Sequence, residues 1–254
     1  MSFSVAGDAY DRFMGRYSRE LAPRFVAFAG IVPGMRALDV GCGAGALTSA
    51  LAGPLGAENV AAADPSETLL AACAARVPGA DVRRAPAEEL PWPDGSFDAA
   101  LSQLVLNFVP DADAAVAEMR RVVTPGGTIA ACTWDYAGGM RMLRTFWDAA
   151  AEVDPQAPDE QHMRYRSEEE LAALWGRGGL EDVVTGPLEV EVEYGSFDDF
   201  WEPFTLGVGP AGAHYASLDP EQREALRERC FSRLGSPAGP FSLTARAFAV
   251  RGTR

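Results

Sequence analysis

The sequence predicts an α/β fold in which a mostly parallel sheet carries helices on both faces. Three observations point to it. Short apolar runs at 36–40, 58–63, 81–85 and 96–101 alternate with helix-forming stretches at 46–53, 67–76 and 111–123, the signature of successive βαβ units. The run Leu38-Asp39-Val40 ends in the alternate glycines Gly41, Gly43 and Gly45, and Ala46-Leu47-Thr48-Ser49-Ala50-Leu51 follows as a helix. Late in the chain, residues 188–194 alternate strictly between apolar residues and glutamate, and 243–250 supplies a second strand to pair antiparallel with them.

From the N-terminus, Tyr10, Phe13 and Tyr17 share one face of a first helical stretch. Ser18 is expected to cap a helix from Arg19 to about Ile31, with Leu21, Phe25, Phe28 and Ala29 as its apolar stripe and Pro33-Gly34 as its stop. Ser66 caps the helix 67–76, and Pro78-Gly79 turns the chain into the third strand. A proline-rich acidic loop over 86–95 precedes the fourth strand, and 128–133 is the fifth. Beyond it come a Gly138-Gly139 hinge, a helix near 140–152, and a helix over 167–176 opened by the capping box Ser167/Glu170. The glutamates 189, 191 and 193 guard a half-exposed strand against edge pairing. Residues 197–234 read as a helical insertion in which Asp219 caps and Pro220 takes the first helical position.

The glycine turn is where a ligand is expected. Glycine accepts positive φ and lets a ligand or helix come close, and the following helix offers free N–H groups. The spacing is Gly-x-Gly-x-Gly rather than the dinucleotide Gly-x-Gly-x-x-Gly, with the permitted Ala46 at the third site, so spacing alone leaves a nicotinamide cofactor open. Asp64, at the end of the second strand and 19 residues past Gly45, is placed to accept hydrogen bonds from ribose hydroxyls.

Composition narrows the chemistry. The 254 residues carry a net charge of -14, and all 22 basic residues are arginine. Without lysine there is neither a P-loop nor a Schiff base. The acidic balance opposes nucleic acid and anionic membranes and favours small neutral or cationic substrates. The four cysteines, Cys42, Cys73, Cys132 and Cys230, lack metal or disulfide spacing, and no His/Cys/carboxylate grouping has ligand spacing, so no metal is expected. No apolar run is long enough to span a membrane and no signal peptide is visible, so a cytoplasmic protein is expected.

Four motifs in order, Asp39-x-Gly41-x-Gly43-x-Gly45, Asp64, the stretch Ala87 to Asp98, and Met119 to Gly127, resemble class I S-adenosylmethionine-dependent methyltransferases of the small-molecule type, over residues 8–134. The resemblance implies a Rossmann-like, seven-stranded, mostly parallel sheet with an antiparallel last strand. It implies one domain over 1–254: a helical lid at 1–31, a cofactor core at 32–134, and substrate-side insertions at 135–166 and 197–236. It also implies S-adenosylmethionine as cofactor and methyl transfer by in-line displacement to O, N or C of a small molecule. Tyr10 and Arg16 become candidates for lid and methionine-carboxylate contacts. Asp39, Gly41, Cys42, Gly43 and Gly45 form the turn, with Asp64 and Pro65 at the ribose. Ala87 and Glu88 lie at the adenine, and Gln103 and Leu104 beside the methionine and its methyl. Pro86 stands where the family has an adenine-binding Asp, removing both an acceptor and an N–H. A nicotinamide-dependent oxidoreductase and a non-catalytic cofactor-binding protein are the alternatives.

In-line methyl transfer needs alignment above all, and a base only where the acceptor still holds its proton. His162, with Arg164 and Tyr165 near it in sequence, is the candidate base and His214 its rival. Trp134, Tyr136, Tyr165, Trp201 and Phe204 are the candidate walls of an acceptor pocket. The sequence leaves the acceptor and the oligomeric state open.

Overall fold

The computed structural model describes residues 11–254. Seven strands, β1 (Ala37–Val40), β2 (Val60–Asp64), β3 (Asp81–Arg84), β4 (Phe97–Gln103), β5 (Val123–Trp134), β6 (Glu181–Tyr194) and β7 (Phe241–Thr253), form one sheet in the order β3-β2-β1-β4-β5-β7-β6. Strands β1 to β5 run parallel, and β7 lies antiparallel between β5 and β6. The expected mostly parallel sheet with an antiparallel last strand is what forms. β1 and β2 are buried along their whole length, as central parallel strands covered on both faces must be. The chain order reverses between β1 and β4, so the carboxyl ends of these strands open the crevice where such sheets take ligands.

The edge of the sheet follows the alternation read from sequence. Val190, Val192 and Tyr194 are buried while Glu189, Glu191 and Glu193 face solvent. Both late strands are longer than expected, because the pairing continues past Leu188↔Ala247 to Val184↔Arg251 and, across a register shift, to Glu181↔Thr253. β5 also starts earlier: Val123 pairs with Phe97 before the register shifts, and Thr128 resumes opposite Ala99.

A π-helical turn, Asp11–Gly15, runs directly into α1 (Arg16–Phe28). Ser18 is therefore no cap: it is buried inside the helix, and its carbonyl accepts a hydrogen bond from Gln103 Nε2 at 3.1 Å. The helix begins earlier than expected because Tyr17, Leu21 and Phe25 all bury in the core, extending the apolar stripe upstream. α2 (Ala46–Leu55) and α3 (Glu67–Arg76) follow the glycine turn and β2, and Ser66 Oγ caps α3 by accepting from Leu69 N. α4 (Ala112–Val122) is capped by Asp111, α5 is Arg141–Val153, and α6 is Glu168–Arg177. The α6 box is half made: Ser167 accepts from Glu170 N, but Glu170 Oε2 accepts from Arg166 N instead of returning to Ser167. In the late insertion stand α7 (Phe197–Trp201), α8 (Gly209–Ser217) and α9 (Pro220–Arg233), the last with a complete Asp219/Gln222 capping box. Among the described residues no helix is long and apolar enough to cross a membrane.

The core divides across the sheet. One face packs α4 and α6; the other packs α1 and α2 together with α5 and the aromatics of the late insertion. On that second face Phe204 stacks on Phe146 with centroids 4.6 Å apart and meets Phe13 edge-on at 5.3 Å, so residues preceding α1 and the late insertion make one roof. A buried hydrogen bond of 2.8 Å between the Tyr17 and Tyr194 hydroxyls fastens that roof to β6. Burial pushes the Tyr17 hydroxyl up to about 12, so both phenols stay neutral at ordinary pH.

Tyr17→Phe leaves the Tyr194 hydroxyl buried without its partner, and urea unfolding should show a loss of about 1 to 2 kcal/mol. Adding Tyr194→Phe removes the orphaned group as well, so the double variant should lose less than the sum of the singles. Additive losses would show that the hydroxyl pair contributes nothing as a pair.

Candidate active site

A cavity of about 520 Å³ opens above the carboxyl ends of β1, β2 and β4 and runs under the roof. Its floor is the glycine turn, where the three glycines serve two purposes. At Gly41 (φ +76°) a Cβ would lie 2.5 Å from Val105 Cγ2, and at Gly45 (φ +85°) 2.9 Å from Cys73 Sγ. At Gly43 (φ +52°) a Cβ would meet nothing within 4 Å, because Gly43 faces the cavity itself.

Two carboxyl groups flank this turn. Asp64 Oδ2 accepts from Gly43 N at 3.0 Å and Oδ1 from Ser66 N at 2.8 Å. Burial pushes its pKa up, and those two N–H groups pull partly against the shift. Asp39 is buried outright: Oδ2 accepts from Thr48 Oγ1 at 2.6 Å, and Oδ1 has no partner among the described residues. Burial, opposed by the Thr48 hydrogen bond, raises its pKa to about 8. On the far side of the turn, Leu104 holds φ +64°, a left-handed conformation that a branched residue adopts only where its surroundings enforce it. Its N–H donates to the Cys132 carbonyl at 2.8 Å, which fixes the bend leaving β4.

The cavity wall gathers Asp39, Gly41, Cys42, Gly43, Asp64, Pro65, Ala87, Glu88, Gln103, Leu104, Trp134 and Tyr136 from the sequence-derived candidates. Others lie elsewhere. Tyr10 is outside the described residues. Arg16 pairs with Asp199, at 2.7 Å and 3.3 Å, and lies over the Tyr194 ring, so its guanidinium is engaged in the roof. Gly45 serves packing against α3. Trp201 and Phe204 are buried in the aromatic roof behind the wall. Tyr165, at φ +59°, packs on the opposite face of the sheet, and its carbonyl accepts from Thr133 Oγ1. Neither histidine lines the cavity. His162 is exposed beside Arg166, and His214 is buried against Trp147 with ring centroids 5.6 Å apart. Burial lowers the His214 pKa, and its Nε2 has no partner among the described residues.

Sequence reasoning missed several residues that the fold brings to or beside the cavity. Thr48 orients Asp39, and its place one turn into α2 was the available signal. Asn107 Nδ2 donates to the Tyr136 hydroxyl at 3.1 Å. Phe13, Met14, Val208 and Pro210 enter from the roof, and Glu160 enters from a 3₁₀ turn, Glu160–His162, after α5. Among the described residues the lining holds four carboxyl side chains, Asp39, Asp64, Glu88 and Glu160, and a single basic one, Arg76. That balance suits a cationic, hydroxyl-bearing ligand and repels a pyrophosphate.

A family model described as a methyltransferase domain matches residues 38–131, the stretch from β1 through β5 that builds the cavity floor. An uncharacterized protein of Mycobacterium tuberculosis is 32% identical over 227 residues, spanning 82% of this chain and 80% of its own. The chain belongs to the class I S-adenosylmethionine-dependent methyltransferase family. A second uncharacterized M. tuberculosis protein is 37% identical over 176 residues; the match spans 65% of this chain and 59% of that protein's length. In fold, the chain is similar to a Haemonchus contortus phosphoethanolamine N-methyltransferase solved with phosphomonomethylethanolamine and S-adenosylhomocysteine. The TM-score is 0.59 at 18% identity, covering 98% of this chain and 57% of that one. The methyltransferase floor thus carries the family motifs, while the roof comes from segments outside the matched domain.

Gly41→Ala forces a Cβ into Val105 at a positive φ, which should cost about 2 to 4 kcal/mol in chemical unfolding. Val105→Ala in the same chain should return roughly the overpacking part, about 1 to 3 kcal/mol, and leave the backbone part. No recovery at all would place the requirement for Gly41 in its backbone conformation alone.

Proposed function

We propose that this methyltransferase transfers the methyl group of S-adenosylmethionine to a small molecule held beneath the aromatic roof, in the cytoplasm. The observation that carries the reading is one continuous cavity, with the glycine turn, Asp39 and Asp64 at one end and Trp134, Tyr136 and Glu160 at the other. The cofactor supplies a methyl group on a positively charged sulfur, so transfer depends on aligning the acceptor behind that carbon.

The residues present fit such a cofactor. The Asp64 carboxylate accepts from Gly43 N in the turn and from Ser66 N beyond its own strand, and keeps lone pairs for ribose hydroxyls. Over Gly43 a Cβ would meet nothing within 4 Å, which supports a sugar at that point. Ala87 and Glu88 line the cavity where the adenine belongs, and Glu88 offers the acceptor that Pro86 lacks. The bend at Gln103 and Leu104 positions the methionine end, and Asp39, with its unpartnered oxygen, balances the cofactor's positive charge. The acidic chain, the cavity of about 520 Å³ and the apolar roof support a small acceptor over nucleic acid or a membrane surface.

Asp64→Ala should weaken binding of both S-adenosylmethionine and S-adenosylhomocysteine by about 1.5 to 3 kcal/mol in calorimetry. Unchanged affinity in the folded variant would remove Asp64 from the site. A second expectation follows from Asp39. Burial keeps its carboxyl protonated up to about pH 8, and a cation beside it favours the ionised form, so S-adenosylmethionine binding near neutrality should expel a proton. The binding enthalpy should then vary with buffer ionisation enthalpy, and the variation should vanish in Asp39→Asn. Proton uptake, or the same release in the variant, would contradict it.

A further inference from the structure

Glu160 lies at the acceptor end of the cavity, 6% exposed, on the 3₁₀ turn that follows α5. Its Oε2 accepts a hydrogen bond from Trp147 Nε1 at 2.8 Å. Its Oε1 makes no hydrogen bond among the described residues, yet that oxygen is not sealed off, and the residue is part of the cavity wall with Trp134, Tyr136 and Leu143. The turn is braced from outside. Asp159 caps it by accepting from Gln161 N at 2.8 Å and is gripped by Arg144 at 2.7 Å and 3.2 Å. A carboxyl with one oxygen fixed by an indole and the other turned to a cavity is held in a single orientation without being satisfied. The remaining cavity carboxyls, Asp39, Asp64 and Glu88, stand at the cofactor end.

We propose that Glu160 is the proton acceptor for a hydroxyl-bearing methyl acceptor, its Oε1 taking the hydrogen bond of the hydroxyl that is to be methylated. The proposal rests on the methyl-transfer reading. In the step it serves, the acceptor oxygen bonds to the methyl carbon as the carbon–sulfur bond breaks. The broken bond's electron pair stays on sulfur and cancels its positive charge. The hydroxyl proton passes to Glu160 Oε1 and from there to water. A hydroxyl is favoured over an ammonium because the surrounding wall is aromatic and aliphatic, where bringing in a charge costs more than bringing in a neutral donor.

The electrostatics around Glu160 agree with the role. Burial and the neighbouring Asp159 push its pKa up, Trp147 and Arg144 pull it down, and the balance is about 7. A base poised there is half ionised at neutrality and accepts a proton with useful driving force. The other titratable groups around it are Arg144 from α5, Asp159 and His162 from its own turn, Tyr136 from the wall, and His214 from α8 behind the Trp147 ring.

The test uses 2-naphthol and its methyl ether 2-methoxynaphthalene, titrated by fluorescence into the full chain saturated with S-adenosylhomocysteine. At about pH 8, where Glu160 is ionised and 2-naphthol keeps its proton, 2-naphthol should bind roughly tenfold tighter than the ether or better. In Glu160→Gln, whose amide oxygen still accepts from Trp147, that preference should disappear. In the wild-type protein it should shrink as pH falls below about 7, because protonation removes the charged acceptor; this arm needs no variant to fold. Equal affinities at about pH 8, a preference that survives in Glu160→Gln or that does not change with pH, or binding of neither probe while S-adenosylhomocysteine binds would each overturn the proposal. Failure of S-adenosylhomocysteine itself to bind the wild-type protein would instead bring down the methyl-transfer reading.

Discussion

Everything at the glycine-turn end of the cavity depends on how the turn after β1 is tied to the end of β2. The Ala63 carbonyl accepts from both Gly41 N and Cys42 N, and the next residue, Asp64, accepts from Gly43 N through its side chain. Three successive N–H groups of the turn are thereby held by two successive residues of one strand. Such a chain of contacts needs the positive φ values of Gly41 and Gly43, which non-glycine residues reach only with strain. It also sets the distance between the Asp39 and Asp64 carboxyls, because Asp39↔Ala62 and Val40↔Ala63 are in fixed parallel register. The site is thus as rigid as the sheet.

The roof is built on a different principle. Aromatic rings from the π-helical turn, α5, and the segment 197–206 pack edge to face and face to face, and a few polar links fix their direction. Arg16 with Asp199 and Tyr17 with Tyr194 join α1 to the late insertion and β6. An ion pair that is only partly buried adds little energy, whereas the buried aromatic area adds much, so the links act chiefly as alignment. α1 is thereby fastened to the roof that covers the end of the cavity lined by Trp134, Tyr136 and Glu160. A segment expected to touch the cofactor through Arg16 instead spends that side chain on the roof.

The legibility of the sequence follows from the same contrast. Where hydrophobic period and turn chemistry agree, boundaries are readable almost to the residue, as for the helix 67–76 with its Ser66 cap; the antiparallel pairing of the two late strands is legible too, but its continuation to Glu181 and Thr253 is not. The glycine turn, Asp39 and Asp64 carry local signals because backbone geometry demands particular residues there. The roof has no such code. His162 looked chemically apt, but the 3₁₀ turn directs its neighbour Glu160 inward and leaves His162 in solvent; no periodicity spans three residues. Tyr165 sits two positions past Met163, yet a left-handed φ sends it to the other face of the sheet. Ser18 failed as a cap because the preceding residues continue the helix in π form, a geometry that composition does not announce. Leu104 was readable as a candidate only by resemblance, and its strained backbone is visible only in three dimensions.

The central claim is that the turn between β1 and α2, with Asp64, is the cofactor's seat and that the acceptor end lies under the roof. A crystal structure of the full chain with S-adenosylhomocysteine tests it most directly. The account predicts ribose hydroxyls within hydrogen-bonding distance of the Asp64 carboxylate, the sugar over Gly43, and the sulfur directed toward the space bounded by Trp134, Tyr136 and Glu160. A ligand bound away from Asp64, or a sulfur directed away from the roofed end, would contradict it.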